Sequence, residues 1–363
     1  NSSNDPITKI ISNAGISAKF KLVKRDKDSN KVVEKAGIKF RIKNLDTDEY
    51  ICQSITYPSQ SKICVFETDK SGGFITPYAL GLGNYQIEEI EAPEGFLDLE
   101  ENIQFEISSI KDYDKDKAGD YIKTIEVLNE QPKANIDLTK EIVFRNKEDV
   151  DLSLVDISDL SKIEFKITAK EDILDKADNS VIYKKGDVVG NYNLSKEGKL
   201  EINNLPIGTY NLEETKTIDG LVINKEPIEI AFKKQDGTTK IYKKEINIKN
   251  KTTFVQIYKI DKESKEKLKG AKFTLYDADG NEIATWISAE KPYSIEGLSA
   301  SKTYFLKEIE APDGYVLNDT PIEVKVDNGN VKKIEFENEM VKPVEESPKP
   351  VKHVQKVLPK TGY

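Results

Sequence analysis

The stretch Tyr304–Tyr315, which reads YFLKEIEAPDGY, decides the fold predicted for this chain. Tyr304, Leu306 and Glu308 alternate along one face, which is the period of a β-strand, and the Ala-Pro-Asp-Gly that follows is typical of a turn. Glu308 therefore lies on the same strand face as two apolar side chains. A carboxylate that faces a core is costly unless a partner compensates it, so the pattern predicts a buried partner for Glu308.

The same pattern occurs at three places in the chain. Tyr85–Phe96 reads YQIEEIEAPEGF, and Tyr210–Gly220 reads YNLEETKTIDG, which is a looser copy. Each copy has an aromatic residue, then an aliphatic residue two positions later, then a glutamate two positions after that. These glutamates are Glu89, Glu214 and Glu308. Self-similarity over such a long period is typical of repeated domains, so the sequence predicts three related units.

The flanking strands repeat as well. An alternating strand before each copy places a lysine on its apolar face, and an alternating strand after each copy ends in asparagine. The lysines are Lys24, Lys140 and Lys259, and the asparagines are Asn129, Asn250 and Asn338. The lysine and asparagine of a unit are 105, 110 and 79 residues apart, so each pair spans almost its whole unit.

This order of lysine, Tyr-x-Leu-x-Glu-x-x-Ala-Pro-x-Gly-Tyr and asparagine resembles the Cna B-type (SpaA-like, prealbumin-like) domain of Gram-positive pilins and surface adhesins. The resemblance covers nearly the whole chain, although Lys216–Asp219 replaces the Ala-Pro turn in the second unit. It implies an all-β fold of three tandem Ig-like, prealbumin-like β-sandwich domains with an extended C-terminal linker. It also implies that each lysine forms an intramolecular isopeptide bond with its asparagine, assisted by the glutamate.

The chemistry of these residue types agrees with that implication. Burial without a counter-charge lowers the pKa of a lysine, and a neutral amine is a nucleophile. A buried carboxyl group can polarise the asparagine carbonyl and transfer the proton while ammonia leaves. The reaction runs once, so the proximity that folding provides supplies much of its rate. The alternative is that three buried Lys–Glu pairs, each with a nearby asparagine, are held by hydrogen bonds alone.

The repeats and the changes in composition predict five segments. They are a mobile leader at 1–13, Cna B-type domains at 14–132, 133–252 and 253–341, and a Pro-rich linker with a sorting signal at 342–363. For the leader, the alternative is an N-terminal strand at Ile7–Ile11 that docks on the first domain.

The first unit holds the two cysteines of the chain, Cys52 and Cys64, which flank the turn-like Tyr57–Ser59. In a hairpin centred on Pro58 the cysteines lie directly opposite each other on one face, which suits a cross-strand disulfide. In the chain-entropy description such a bridge stabilises a protein by about 3 kcal/mol. The alternative is two reduced, partly buried thiols.

The chain ends with Leu358, Pro359, Lys360, Thr361 and Gly362 before Tyr363. These five residues resemble the Leu-Pro-x-Thr-Gly sorting signal that sortase reads. The resemblance implies cleavage after the threonine and transfer of its carboxyl group to a wall peptide or to a pilin lysine.

A pilus-linking lysine is harder to identify. The Tyr-Pro-Lys pilin motif does not occur in the sequence, and Lys133, in Gln131-Pro132-Lys133 at the first domain junction, is the nearest candidate.

Composition narrows the function further. Charged residues make up 33% of the chain and the net charge is −9, which argues against a nucleic-acid partner. The single histidine nearly excludes a histidine-based metal site, and no cofactor or metal is predicted. No apolar run approaches the ~20 residues of a membrane helix.

We therefore predict a structural pilin or stalk subunit, secreted and anchored to the wall of a Gram-positive bacterium. It is not an enzyme, apart from forming its own isopeptide bonds. Its predicted partners are sortase and either peptidoglycan or other pilin subunits. The alternative is an adhesin that uses the same domains to bind a host surface or matrix protein.

Overall fold

The computed structural model describes residues 15–56, 59–326 and 331–342. The predicted leader, the sorting-signal residues 358–362 and the Tyr57–Pro58 part of the predicted cysteine hairpin lie outside the described residues. No helix in the described part of the chain is long and apolar enough to cross a membrane.

The described residues form β-strands and loops with one 3-10 helix, Lys147–Asp149. Strands β1 to β12 are Ser17–Asp26, Lys39–Asn44, Glu49–Tyr50, Gln53–Ile55, Ser61–Ile63, Phe66–Glu67, Gly73–Ile75, Leu80–Gly81, Gly83–Glu89, Ile103–Ile107, Asp114–Lys115 and Tyr121–Asn129. Strands β13 to β22 are Lys133–Val143, Leu152–Ser153, Glu164–Ala169, Ile173–Leu174, Val181–Tyr183, Val188–Asn193, Lys199–Pro206, Thr209–Lys216, Ile228–Ala231 and Ile241–Lys251. Strands β23 to β29 are Phe254–Asp261, Lys272–Asp277, Glu282–Ile287, Tyr293–Glu296, Tyr304–Glu310, Ile322–Val324 and Val331–Asn338.

These strands build three β-sandwiches. The first has one sheet in the order β11-β12-β1-β7 and another in the order β10-β9-β2-β3. The second pairs the sheet β19-β13-β22 with β18-β15-β20-β21, and the third pairs β14-β26-β23-β29 with β25-β24-β27-β28. The predicted all-β class with tandem prealbumin-like sandwiches is confirmed.

In each sandwich the strand that carries the lysine and the last strand are neighbours in one sheet. β1 runs parallel to β12, and β23 runs parallel to β29. β13 lies beside β22 in the second sandwich. The last strand of each sandwich therefore lies next to the strand of its lysine, and residues far apart in sequence meet across this strand pair.

Alternation along these strands determines which side chains face the core. In β1 every second residue is buried, and the series includes Phe20, Leu22 and Lys24. The core of the first sandwich contains these apolar residues together with Phe40 of β2 and Tyr85 of β9. A strand with this period places its lysine among apolar side chains.

The chain divides into two compact units. The first contains the first two sandwiches, as residues up to 141, 157–218 and 223–250. The second contains the third sandwich together with residues 142–156 and 219–222. Within the second unit, β14 pairs in parallel with β26. β14 falls in the range predicted for the second domain, and the predicted domain boundaries stay a prediction.

Candidate functional site

The predicted lysines and asparagines lie on adjacent strands. In the first sandwich Lys24 is opposite Val127 and Asp26 is opposite Asn129. Asn129 is thus two residues further along the strand than the direct neighbour of Lys24. Since side chains two residues apart share a face, Lys24 and Asn129 project into the same core. Lys259 and Asn338 have the same diagonal relation in the third sandwich, where Lys259 is opposite Phe336.

In the first sandwich Lys24, Glu89 and Asn129 meet in the core. The Lys24 Nζ donates to Asn129 Oδ1 and to Glu89 Oε1. The Asn129 Nδ2 donates to Glu89 Oε2 at 2.7 Å and to the backbone oxygen of Leu97 at 2.8 Å. The carboxylate therefore contacts the amine on one side and the amide nitrogen on the other.

The third sandwich repeats this arrangement. The Lys259 Nζ donates to Asn338 Oδ1 and lies 3.3 Å from Glu308 Oε1. The Asn338 Nδ2 donates to Glu308 Oε2 at 2.9 Å and to the backbone oxygen of Val316 at 2.9 Å. The backbone NH of Asn318 also donates to Glu308 Oε2, at 2.9 Å. Glu308 has the buried partner that its strand position required.

The second sandwich brings Lys140, Glu214 and Asn250 together in the same way. The Lys140 Nζ donates to Asn250 Oδ1 at 2.7 Å and to Glu214 Oε2 at 2.8 Å. The Asn250 Nδ2 donates to the two carboxylate oxygens at 2.9 and 3.0 Å. The backbone NH of Asn224 reaches Glu214 Oε2 at 3.2 Å. The loose sequence match thus does not prevent assembly of this group.

Burial makes these lysines unusually weak bases. The side chains of Lys24, Lys140 and Lys259 are completely buried. Desolvation lowers the pKa of Lys24 and of Lys259 to about 8, although the nearby glutamate opposes the shift in each case. Desolvation also lowers the pKa of Lys140, against the hydrogen bond and charge of Glu214. A larger share of each amine is therefore neutral near pH 7 than in an exposed lysine.

Sequence reasoning missed the backbone groups around each centre. These are the carbonyl groups of Leu97 and Val316 and the NH groups of Asn224 and Asn318. Every residue has these groups, so residue type does not reveal them. The one available signal was an asparagine at the same distance after Glu214 and after Glu308.

Two other predicted sites lie in the first unit. The structure contains a disulfide between Cys52 and Cys64, next to the paired strands β4 and β5. The candidate linking residue Lys133 is half-buried at the start of β13, and its Nζ lies 3.0 Å from Asp28 Oδ2. The described residues contain no group of three or more His, Cys, Asp and Glu side chains placed to hold a metal ion.

Comparison with known proteins identifies the domain type. The family model for the SpaA prealbumin-like fold domain matches residues 18–120, 149–247 and 253–340. No curated protein matches the chain.

The chain is also similar to several solved structures. The Bacillus anthracis TIE protein is 21% identical with a TM-score of 0.50, over 89% of this chain and 51% of that one. This chain thus spans about half the length of the TIE protein, and the likeness concerns the fold. BcpA, the major pilin subunit of Bacillus cereus, is 19% identical with a TM-score of 0.42, over 90% of this chain and 100% of that one. A streptococcal ancillary pilin is 16% identical with a TM-score of 0.32, over 89% of this chain and 99% of that one.

Proposed function

Because the chain belongs to the SpaA family of prealbumin-like fold domains, we propose that it is a structural pilin or stalk subunit of a Gram-positive cell surface. In this proposal an intramolecular Lys–Asn isopeptide bond closes each of its three sandwiches. The observation that carries the proposal is the set of three buried groups in which lysine, glutamate and asparagine contact one another.

The contacts support a specific reaction. The neutral lysine amine attacks Cγ of the asparagine, so that an Nζ–Cγ bond forms and the Cγ–Nδ2 bond breaks. The glutamate contacts both nitrogens, so it accepts a proton from the attacking amine and delivers one to the leaving nitrogen. The products are an amide and ammonia, and no electrons are transferred to or from another molecule. Folding holds the reacting groups together, which replaces much of the entropic barrier.

The position of the bonds suits a tether under tension. Each bond joins the strand that carries the lysine to the last strand of the sandwich, and these two strands are neighbours. A pulling force on the ends of the chain then passes through the covalent bond and not through the sheets. By analogy with a disulfide, closing a ring of about 100 residues reduces the entropy of the unfolded chain by an amount worth about 4 to 5 kcal/mol. Such closure slows unfolding and limits proteolysis.

Attachment is the second part of the proposal. Sortase cleaves the Leu358–Gly362 signal and joins the Thr361 carboxyl group to peptidoglycan or to a lysine of another pilin subunit. Lys133 is the candidate on this chain for receiving such a bond. Its amine is paired with Asp28, so it must leave that ion pair before it can react.

Intact mass spectrometry of the purified chain tests the proposal. We expect a deficit of three ammonias relative to the sequence, and proteolytic peptides that join Lys24 to Asn129 and likewise the other two pairs. Reduction restores only the two hydrogens of the disulfide. A chain with no deficit would remove the covalent part of the proposal.

Stretching single molecules held at both ends tests the mechanical part. We expect the wild-type chain to show no extension from unfolding of the three sandwiches. The Asn338→Ala variant, which cannot close the third ring, should release the length of that sandwich alone. Equal extension of the two proteins would contradict a stalk that bears load through its cross-links.

A further inference from the structure

The amide nitrogen of the asparagine has two acceptor groups, a carboxylate and a backbone carbonyl, in the first and third sandwiches. Asn129 Nδ2 donates to Glu89 and to the Leu97 carbonyl, and Asn338 Nδ2 donates to Glu308 and to the Val316 carbonyl. Carboxylate and carbonyl oxygens accept only, so both positions require the NH2 group. Together they orient the carboxamide, with the leaving nitrogen on the glutamate and the oxygen on the lysine.

The turn after each glutamate positions this carbonyl group. Pro93 and Pro312 are buried. The backbone NH of Phe96 donates to the Pro93 carbonyl at 3.0 Å, and the backbone NH of Tyr315 donates to the Pro312 carbonyl at 3.1 Å. The glycine inside each turn has a positive φ of 92° or 82°, which glycine adopts without steric cost. The turn is also tied to the residue that follows the last strand of its own sandwich, since the NH of Leu97 donates to the Glu130 carbonyl and the NH of Val316 to the Glu339 carbonyl, both at 2.9 Å.

The second sandwich differs in the acceptors of this amide nitrogen. In the described part of the chain the Asn250 Nδ2 donates only to the two oxygens of Glu214. Thr217 and Ile218 occupy the places of alanine and proline there. The Thr217 hydroxyl is buried and has no hydrogen-bond partner among the described residues.

We propose that the Ala-Pro-x-Gly turn is a positioning element of the isopeptide reaction, acting through the Leu97 and Val316 carbonyl groups. Threonine and isoleucine in place of its alanine and proline make the second sandwich the slowest of the three to form its bond. The inference rests on the proposed function, because it concerns the rate of the same reaction. With one acceptor group the carboxamide samples a wider range of χ2 angles, and less of it lies in the attack geometry. Loss of one hydrogen bond that orients the leaving group slows the reaction about tenfold.

A reciprocal exchange of turn residues in the full chain tests this proposal. In the first variant, Thr217→Ala with Ile218→Pro gives the second sandwich the turn residues of the third. In the second variant, Ala311→Thr with Pro312→Ile gives the third sandwich the turn residues of the second. Each protein is made in a short pulse of cell-free synthesis and quenched in acid at intervals. Mass spectrometry of the proteolytic peptides then follows each cross-link separately. We expect the second bond to form about tenfold faster in the first variant, and the third bond about tenfold slower in the other.

The first sandwich is unchanged in both variants, so its cross-link is the internal control. The carbonyl group does not titrate, so the rate should change by the same factor at every pH, with no shift of the profile. The same exchanges are also made in Asn250→Ala and Asn338→Ala chains, which cannot form the second and the third bond, respectively. The free energies of unfolding of these proteins separate any effect on the fold from the effect on the rate.

The outcomes distinguish failure of the positioning role from failure of the proposed isopeptide reaction. Three cross-links that form at rates unaffected by the exchanges would overturn the positioning role and leave the proposed function intact. Equal rates of formation of the second and third bonds in the wild-type chain would also overturn the positioning role. The absence of all three cross-links would remove the reaction, and the inference with it.

Discussion

The second and third candidate centres contain the same three residue types in the same contacts, but their surroundings differ. Lys259 lies near two aromatic rings, 4.7 Å from the centre of Phe336 and 5.8 Å from that of Phe273. Among the described residues Lys140 lies near one ring, 5.1 Å from the centre of Phe165. Ile248 stands two residues before Asn250, where the third sandwich has Phe336 before Asn338. The repeated motif therefore assembles a centre, and neighbouring residues adjust how strongly the amine is enclosed.

The largest expected effect comes from removing the glutamate. Glu308→Ala leaves the third sandwich folded but without its cross-link, because the proton transfer contributes roughly a hundred- to ten-thousand-fold to such a reaction. It also leaves a buried lysine without its partner, which costs about 3 to 5 kcal/mol. Glu214→Ala does the same in the second sandwich. Intact mass should show a deficit of two ammonias for each variant.

Glu335→Ala is the matched control for these variants, since Glu335 is an exposed residue of β29. It should retain all three cross-links. A Glu308→Ala protein that still loses three ammonias would show that this glutamate does not assist the reaction.

The next effect is a pH dependence of stability in chains that cannot cross-link. Asn338→Ala leaves Lys259 beside Glu308, and burial lowers the pKa of Lys259 to about 8 from 10.5. Between these values the unfolded chain holds a proton that the folded chain has released. The free energy of unfolding therefore rises with pH across this window, by at most about 1.4 kcal/mol per pH unit. Below about pH 8 both states hold the proton, and this contribution no longer changes.

Urea unfolding of the Asn338→Ala chain across that window measures the slope. The double variant that also carries Lys259→Met lacks the titrating group, so the difference between the two proteins isolates the lysine. Asn250→Ala should behave in the same direction, because burial also lowers the pKa of Lys140. A difference that falls with pH would contradict the desolvated state of these amines.

A smaller effect is expected from exchanging the residue that precedes the asparagine by two positions. Phe336→Ile makes the third centre resemble the second and removes one of the two rings near Lys259. The lost volume in a packed core should cost about 1 to 2 kcal/mol. Thermal unfolding in the Asn338→Ala background measures this cost. An unchanged unfolding temperature would mean that the second ring contributes nothing to this centre.

The smallest effect is expected at the turn itself. Thr217→Ala removes a buried hydroxyl without a partner among the described residues. Relieving an unsatisfied group of this kind should stabilise the second sandwich by about 1 kcal/mol. Ala311→Thr should destabilise the third sandwich by a similar amount. Urea unfolding in uncross-linked backgrounds compares the two, and a loss of stability in Thr217→Ala would contradict this account of the turn.

Most of the fold was accessible from the sequence because its signals are local. Alternation in β1 and β27 identified the strands and placed Lys24 and Glu308 on buried faces. The three copies of the motif predicted three tandem sandwiches, and this is confirmed. The pairing of β14 with β26 could not be predicted, because a two-residue strand has too little periodicity to identify its partner.

The candidate centres divide in the same way. The sequence by itself determined which lysine, glutamate and asparagine belong to each unit, since side-chain type and strand period are both written in it. Only the tertiary structure decided the strand neighbours that bring Lys24 beside Asn129, and the backbone carbonyl groups that accept from the amide in the first and third centres. The physical reason is that backbone groups are chemically alike at every position. Their role depends on where packing between distant segments places them.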